Sequence, residues 1–557
     1  MPSLFAGLNI SKMGLFSQQR ALHTLSHNIA NANTEGYTRQ RVDMHATSPE
    51  QLPGSYGMVG TGVDVDAVKQ IRNEFLDFSF RGENSKLGQY QVYDDILKNV
   101  EGIFKEPSDA SFGKLMDNYY ASLQELSKTP ENLTVRALVR QRGIGLAEGI
   151  QNMSESLKKM QKDTNFEMGV AATEINGFAQ QISSLNKIIF NSELTGGKAN
   201  DVRDQRNLLV DKLSKLTKVD YYEDNNKGFH VMINGHELVN HFSYDQLDTI
   251  PRTARANEDD VDDIIDFKWK SGADFRTSEG KVAAIIQMRD NIDGSNKGIP
   301  YYVDKLNEFI DTLASEMNNI HSQGFGLAST TGVNFFTFSD KTTAEYNAYF
   351  LAEGLNKGAP IDVTSSVIQG INATPVLMTK EIEESNAQII RSNINNILKN
   401  NPDYAKKSVK LIDGKYYVTD RLKADQVTIS RDIDLDLNKI AAADNANPLP
   451  GKNTNALKMA ASRNNVKLYD WGSPDDFVKS LVTNLAVDKQ EATRVYTNQG
   501  VQMKQLTVSK DSYSGVSLDE EMADMVRFQQ SYNANARMLS TFDEMIDIIV
   551  NKLGAGR

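Results

Sequence analysis

Cysteine is absent from the 557-residue chain, which excludes disulfide bonds, thiolate nucleophiles and cysteine-based zinc sites. No run of about 18 consecutive apolar residues is present, so the sequence predicts no membrane insertion. The formal net charge is −12 and no long basic run occurs, which argues against a nucleic-acid partner. Residues 1–19 lack the basic start, apolar block and cleavage site of a secretory signal, and we expect no cleaved signal peptide.

Signatures of catalysis are also missing from the sequence. It contains neither a Walker phosphate loop nor a Rossmann glycine fingerprint, and it supports no Ser-His-Asp arrangement. The remaining metal candidates are His23 and His27 on the first helix, His230, His236 and His241 around a hairpin, and six acidic residues within 258–266. The first pair lacks the H-E-x-x-H signature, and the acidic block lacks the EF-hand glycine and terminal glutamate, so we expect a solvated loop there. We therefore expect no enzymatic activity, no catalytic residue, no cofactor and no metal site.

Two apolar repeats of seven residues mark the ends of the chain. The first comprises Leu8, Leu15, Leu22 and Ile29, and the second comprises Leu518, Met525, Tyr532, Leu539, Ile546 and Leu553. A seven-residue period keeps one face of a helix against a partner helix over many turns, as in a coiled coil. Such a stripe also fits an ordinary core helix, but six positions at a strict period of seven favour an interface. These ten residues are the predicted assembly interface, in which the first and last helices pair with each other, with neighbouring copies, or with both.

Helical periodicity dominates the rest of the chain, with β-like segments inserted between the helices. Gly7 and Gly14 weaken the first helix by about 1 kcal/mol each relative to alanine. Alternating residues around Asn234-Gly235 predict a hairpin, because this dipeptide favours a two-residue turn. The predicted fold is mainly α with β-rich inserts: long coiled-coil-like terminal helices, an elongated helical body, and inserted mixed or β domains.

The same patterns divide the chain into three nested units. The terminal coiled-coil module comprises 1–50 and 511–557, the elongated helical body comprises 51–330 and 451–510 with a β-rich segment at about 219–290, and the inserted outer domain comprises 331–450. This nesting suits a self-assembling tubular protein, because the wall is built from helices packed between neighbours while insertions point outward.

Several strings of residues resemble one protein family. Residues 27–37 read HNIANANTEGY, and residues 514–521 read SGVSLDEE before Gln529, Tyr532 and the run 534–537. Both strings are similar to the opening and closing segments of flagellar rod, hook and hook-associated proteins. Three internal segments resemble the hook-associated members of this group: 200–206 (NDVRDQR), Gly280-Lys281-Val282 with Arg289-Asp290, and 306–321. The resemblance covers about 1–330 and 451–557, and none is found within 331–450.

The resemblance implies a structural component of the bacterial flagellum that adapts the hook to the filament at their junction. It further implies export by the flagellar type III apparatus and an extracellular location. The implied partners are other copies of the chain in a ring, the hook protein, hook-associated protein 3 on the filament side, and an export chaperone on the C-terminal helix.

Two other classes of function remain open from the sequence. Residues 331–450 are compatible with an adhesive or ligand-binding surface, or with an enzymatic insert. A pocket with convergent titratable residues in this segment would favour those functions, whereas a convex polar surface would favour the structural one.

Overall fold

The computed structural model describes residues 4–51, 57–104, 111–194, 196–294, 296–327, 329–356, 407–412, 415–446 and 451–549. Within these residues the α-helices are α1 (Leu4–Ala30), α2 (Glu74–Phe104), α3 (Phe112–Lys128), α4 (Leu133–Glu193), α5 (Asn200–Leu216), α6 (Lys281–Asp290), α7 (Ile299–Gln323), α8 (Thr343–Asn356), α9 (Arg431–Leu435), α10 (Thr454–Ala461), α11 (Pro474–Ser514) and α12 (Leu518–Asp547). Among the described helices, none combines the length and apolar character needed to cross a membrane.

The strands lie between the helices and form small antiparallel sheets. They are β1 (Gln40–Ala46), β2 (Glu50–Gln51), β3 (Met58–Val59), β4 (Val63–Gln70), β5 (Asp220–Glu223), β6 (Phe229–Ile233), β7 (His236–Asn240), β8 (Ser243–Tyr244), β9 (Leu247–Pro251), β10 (Ile265–Trp269), β11 (Phe336–Phe338), β12 (Lys407–Ile412), β13 (Lys415–Asp420) and β14 (Val427–Ile429). β1 pairs with β4, β2 with β3, β9 with β10, β11 with β14 and β12 with β13, while β5 to β8 form a four-stranded meander. The predicted fold class, mainly α with β-rich inserts, is confirmed.

Long helices form the body of the molecule. α4 has 61 residues, which corresponds to a rod of about 90 Å at 1.5 Å per residue. α2 and α11 lie antiparallel: Lys489 Nζ is 3.4 Å from a Glu101 carboxylate oxygen, and further along α11 Lys510 Nζ is 3.2 Å from Asp77 Oδ1. Apolar side chains from the helices and from the meander belong to one continuous core.

The predicted hairpin around Asn234-Gly235 is present. β6 and β7 flank this dipeptide, and both turn residues have positive φ, 48° for Asn234 and 83° for Gly235. Asparagine and glycine accept this left-handed conformation with little strain, which explains the turn. Side chains of α4 hold both this sheet and the neighbouring strand β9. Ser183 Oγ donates to Phe242 O at 2.8 Å, between β7 and β8, and Asn176 Nδ2 donates to Leu247 O of β9 at 2.9 Å.

The predicted boundaries of the outer domain, 331 and 450, cut through the core and need correction. Phe335 and Phe336 are fully buried, and each ring centroid lies 5.7 Å from that of Tyr119 on α3. Ile429 on β14 is also buried. The residues that enter and leave this segment therefore belong to the body, because their apolar side chains complete its core. The predicted boundaries are wrong because alternating apolar residues indicate a strand but do not show which part of the protein the strand packs against.

Two buried basic side chains fasten this segment to the helices through its backbone. Arg136 on α4 donates to Leu437 O at 3.2 Å and Ile440 O at 2.6 Å, and burial lowers the pKa of its guanidinium to about 10. His321 on α7 donates from Nδ1 to Val333 O at 2.7 Å and accepts at Nε2 from Ala441 N at 2.9 Å. Burial lowers the pKa of this imidazole to about 4, so the ring is neutral at pH 7 and keeps one donor and one acceptor.

Candidate assembly interface

The first and last helices pair with each other inside the chain. α1 and α12 run antiparallel, with Gly7 against Phe542, Gly14 against Asn535, and Asn28 hydrogen-bonded to Glu521. Each step of seven or fourteen residues along α1 is matched by an equal step back along α12. This constant register is that of an antiparallel coiled coil.

The two glycines of α1 provide room for the opposing helix. An ideal Cβ at Gly7 would lie 2.5 Å from the Phe542 ring, and one at Gly14 would lie 2.8 Å from Asn535 Oδ1. Real Cβ atoms do not approach other atoms this closely, so a larger residue at either position would require the Phe542 ring or the Asn535 amide to move. The same two glycines that are predicted to weaken α1 as an isolated helix therefore let it pack closely against α12.

The ten predicted interface residues flank this contact rather than form its closest row. On α1 the closest row is Gly7, Gly14, Ala21 and Asn28, one residue before each predicted position. The predicted positions Leu8, Leu15, Leu22, Ile29, Met525, Tyr532, Leu539 and Ile546 are partly exposed, Leu518 is 48% exposed, and Leu553 lies outside the described residues. Sequence reasoning missed the row of small and polar residues because it weighted only large apolar side chains, although this row has the same period of seven.

Asn28 is the polar centre of the terminal module. Its side chain is fully buried, and its amide nitrogen donates to Gln40 O and Glu521 Oε2, both at 2.9 Å. The amide oxygen accepts from Gln40 N at 3.0 Å and from the Tyr37 hydroxyl at 2.8 Å. Both donors and both lone pairs of the side-chain amide are therefore satisfied, and the cluster joins α1, β1 and α12.

Glu521 brings a buried carboxylate to the same cluster from the first turn of α12. It has no exposed surface, and its Oε1 lies 2.6 Å from Nε of Arg39. The same guanidinium donates to Glu520 at 2.8 Å, and the Arg39 backbone N–H donates to Ser514 O at 2.8 Å. Because a buried carboxylate without a partner is strongly unfavourable, these contacts fix where α12 begins relative to β1.

The start of α5 completes the junction with the body. Thr38 donates to Asp204 from its backbone N–H at 2.9 Å and from its hydroxyl at 2.7 Å. Gln40 Nε2 donates to Asp201 Oδ1 at 2.6 Å, and Asn200 Nδ2 donates to Gln40 Oε1 at 3.2 Å. Polar side chains of α5 thereby hold the chain just before and within β1.

Three of the resembling strings, 27–37, 200–206 and 514–521, meet at this point. We call the cluster the polar junction and define it as Asn28, Tyr37, Thr38, Arg39, Gln40, Asp201, Asp204 and Glu521. It connects the terminal helix pair to the helical body through hydrogen bonds that are mostly shielded from water. Because such bonds require specific geometry, the polar junction fixes the orientation of the helix pair on the body.

Electrostatics keep the hydroxyl of Tyr37 protonated within the polar junction. Burial raises the pKa of the Tyr37 hydroxyl well above its usual range, and the carboxylates of Asp201, Asp204 and Glu521 raise it further. Burial also raises the pKa of Asp204, against the lowering effect of its hydrogen bonds from Thr38. Tyr37 therefore stays a hydrogen-bond donor toward Asn28.

The histidine metal candidates have other partners. His27 Nδ1 lies 2.9 Å from the Tyr37 hydroxyl, and its Nε2 lies 3.4 Å from Asp201, whereas His23 is exposed. His230 contacts Glu237 at 3.2 Å and His236 contacts Asp245 at 2.9 Å, so these histidines pair with nearby carboxylates. His241 packs against Phe190 and Phe242, and partial burial of its ring lowers the pKa of the imidazole. Across the described residues, no group of three or more histidine and acidic side chains is arranged to hold a metal ion.

The acidic block within 258–266 is less exposed than expected from a solvated loop. Asp260 is buried and accepts from Asn257 N at 2.7 Å and Gln161 Nε2 at 2.8 Å. Asp266 pairs with Arg252 at 2.6 Å, which lowers the pKa of its carboxyl. The expectation of a solvated loop is wrong for these two carboxylates, which organise the connection between β9 and β10.

Apolar side chains remain uncovered on the outside of the terminal module. On α1 they are Phe5 and Phe16, on α12 they are Leu518, Met522, Val526, Met538 and Met545, and directly after α12 they are Ile548 and Ile549. Exposed apolar surface on this scale is characteristic of a surface that contacts another molecule.

Comparisons with known proteins agree with this architecture. Three family models match the chain: "Flagella basal body rod protein" over 8–38, "Flagellar hook-associated protein FlgK helical domain" over 97–336, and "Flagellar basal body rod FlgEFG protein C-terminal" over 511–553. Two of these models coincide with the paired terminal helices. The class of protein defined by the fold and its termini is an axial protein of the bacterial flagellum.

Relatives place the chain more narrowly within this class. Flagellar hook-associated protein 1 of Bacillus subtilis (strain 168) is 29% identical over 581 residues and is matched over 100% of both chains. Flagellar hook-associated protein 1 of Escherichia coli (strain K12) is 26% identical, with 98% of this chain and 99% of the relative covered. Over almost its whole length, the chain is therefore similar to proteins named flagellar hook-associated protein 1.

A solved structure shows the same fold. The flagellar hook junction protein FlgK from Burkholderia pseudomallei superposes with a TM-score of 0.55 at 13% sequence identity, over 79% of this chain and 100% of that one. The helical fold of the matched part of the chain is therefore a known one.

Proposed function

We propose that the chain is a structural adaptor between the hook and the filament of the bacterial flagellum. The observation that carries this proposal is the terminal module: a helix pair fixed to the body by the polar junction, with apolar side chains left uncovered on its outside. Similarity to flagellar hook-associated protein 1 over the full length of the chain supports the same function. An adaptor of this kind acts by packing, and we infer that it catalyses no reaction.

The subunit contacts are proposed to form on the outside of the terminal helix pair. The predicted positions Leu8, Leu15, Leu22, Ile29, Leu518, Met525, Tyr532, Leu539, Ile546 and Leu553 belong to this proposal, together with exposed neighbours such as Val526. Intramolecular pairing uses the row of glycines, so large side chains beside it stay available for neighbouring copies. Copies related by rotation about an axis would then bury these side chains in a closed ring.

The remaining partners follow from the position of such a ring. The hook protein would lie on one side and hook-associated protein 3 on the other. Assembly outside the cell requires export, for which we propose the flagellar type III apparatus, no cleaved signal peptide and a chaperone bound to the C-terminal helix. The exposed apolar side chains of α12 support the chaperone proposal, because they need cover before assembly.

Electron microscopy of cells lacking this protein tests the proposed function. We expect hooks without filaments and flagellin released into the medium, with both defects reversed when the wild-type chain is restored. Normal filaments on cells that lack the chain would contradict the proposal.

Binding to isolated hooks gives a second test with purified components. Hooks sheared from cells that lack the chain should sediment together with added wild-type protein. Protein that stays in the supernatant at every hook concentration would contradict the adaptor function.

A further inference from the structure

Exposed methionines are concentrated on the last helix. Among the described residues, four methionines are more than one-third exposed: Met58 on β3, and Met522, Met538 and Met545 on α12. Seven others are buried in the body, namely Met116, Met153, Met168, Met288, Met317, Met459 and Met503. An oxidant in solution would therefore reach α12 before it reaches most methionines of the core.

We propose that Met522, Met538 and Met545 form an oxidant-sensitive modification site that controls assembly, an inference that rests on the proposed function. The reagent is a two-electron oxidant of the peroxide class. The thioether sulfur attacks one peroxide oxygen, the O–O bond breaks, and an S–O bond forms. Sulfur loses two electrons to become a sulfoxide. With hydrogen peroxide, the second oxygen already carries one proton and leaves as water after taking up the proton released by the first oxygen.

The chemistry of the sulfoxide explains why assembly is affected. A methionine side chain is apolar and adapts to irregular surfaces, whereas the sulfoxide is polar and needs a hydrogen-bond partner. The three side chains are 44–53% exposed in the single chain, and copies packed through α12 would cover them. Covering a sulfoxide without a partner is unfavourable, and the penalty recurs in every subunit of a ring.

The single chain should tolerate the same modification. Closest contacts between α1 and α12 are made by Gly7 with Phe542, Gly14 with Asn535 and Asn28 with Glu521, and none of these contains sulfur. The three methionines already face water in the single chain, so their oxidation leaves the core and the polar junction unchanged. Oxidation of these methionines should therefore impair assembly without unfolding the single chain.

Limited hydrogen peroxide treatment of the purified full-length chain tests the proposal. Peptide mass mapping identifies the oxidised residues, and sedimentation with isolated hooks measures binding before and after treatment. We expect oxidation at the three α12 methionines and at Met58. Hook binding should weaken by about tenfold or more, while the melting temperature stays unchanged. Repair by methionine sulfoxide reductases of both stereospecificities should restore binding.

Substitutions identify which methionines are responsible. The variant M522L/M538L/M545L should bind hooks equally before and after peroxide, because leucine keeps the apolar volume and does not oxidise. The matched control M58L should lose binding as the wild type does.

The outcomes separate this inference from the proposed function. Equal loss of binding in the triple variant, or full binding by wild-type chain carrying all three sulfoxides, would overturn the oxidation proposal alone. Failure of untreated wild-type chain to bind hooks would overturn the proposed function and this inference with it.

Discussion

At the scale of single residues, the polar side chains at the helix ends are the most constrained part of the terminal module. Asn28 satisfies all four of its hydrogen-bonding positions away from water, and one of its partners is the buried carboxylate of Glu521. A single buried polar pair can define helix register, because every shifted register leaves the two groups without partners.

Replacing Asn28 by aspartate tests this constraint with almost no change in shape. N28D removes the donor to Glu521 and places a second carboxylate within hydrogen-bonding distance of the first. We expect a loss of about 3–5 kcal/mol from the stability of the terminal module at pH 7. Hydrogen exchange of the α1 and α12 amides measures this loss.

The double variant N28D/E521Q is the matched control. The introduced glutamine amide donates to the introduced aspartate, so a donor and an acceptor again face each other with one charge. We expect more than half of the lost protection to return. No recovery in the double variant would mean that the pair does not interact as described.

The glycines of α1 make a second prediction at this scale. G14A raises helix propensity by about 1 kcal/mol but places a Cβ 2.8 Å from Asn535 Oδ1. We expect a net loss of about 1–2 kcal/mol in the pairing of α1 with α12, seen as faster amide exchange in both helices. The control is G177A on α4, where no atom lies within 4 Å of the added Cβ. Stabilisation by G14A equal to that by G177A would refute the close approach.

At the scale of helices and strands, helix side chains hold the segments between helices by their backbone groups. Arg136 and His321 bond to the chain around residues 437–441, and Asn318 accepts from the backbone N–H groups of Phe335 and Phe336, both at 2.8 Å. Buried backbone groups need hydrogen-bond partners, and these side chains provide them.

His321 makes the stability of this attachment depend on pH. Its folded pKa of about 4 lies below the value near 6.5 expected for the unfolded chain, so the unfolded state binds the proton more readily. The stabilisation is fully present above pH 6.5 and is lost as pH falls toward 4, by up to about 3 kcal/mol. The Arg136 cation acts in the same direction, because it also lowers the pKa of the imidazole.

Urea denaturation at several pH values measures how the free energy of unfolding depends on pH, in the wild type and in a variant without a titratable group at this position. H321Q keeps a donor and an acceptor, so the difference in stability between wild type and H321Q should shrink between pH 6.5 and 4. A constant difference across this range would show that His321 is not protonated on unfolding there.

The elements also show how far the sequence determines the structure. The hairpin at Asn234-Gly235 and the long terminal helices were predictable, because turn chemistry and heptad period are local properties. The attachment of residues 440 and 441 by Arg136 and His321 was not predictable, since these backbone atoms lie about 120 to 300 residues away along the chain. The row of α1 residues that lies closest to α12 was missed for a different reason. Gly7 and Gly14 have no apolar side chain, so they do not contribute to a hydrophobic repeat.

At the scale of the whole molecule, the corrected position of the insert changes what can be removed. Deleting 331–450 would remove Phe335, Phe336 and Ile429 from the core, and we expect such a chain not to fold. Replacing only residues 361–402 by a short glycine–serine linker removes no described core residue. We expect this narrower variant to keep the wild-type melting temperature within a few degrees and to support filament growth. An early-melting narrow variant would show that the removed residues contribute to the body.

The central claim is that the chain assembles through the outside of a terminal helix pair that is already formed within each subunit. Its most direct test is V526D, because Val526 on α12 is 58% exposed and a charge there should not disturb the single chain. The control is L435D, the same kind of change at a residue on α9 that is 75% exposed. For each variant, the measurement combines the melting temperature of the purified chain with the fraction of hooks that carry filaments on cells. We expect V526D to melt like the wild type and to leave hooks bare, while L435D supports normal filaments. Normal filaments with V526D, or a melting temperature lowered by many degrees, would contradict the claim.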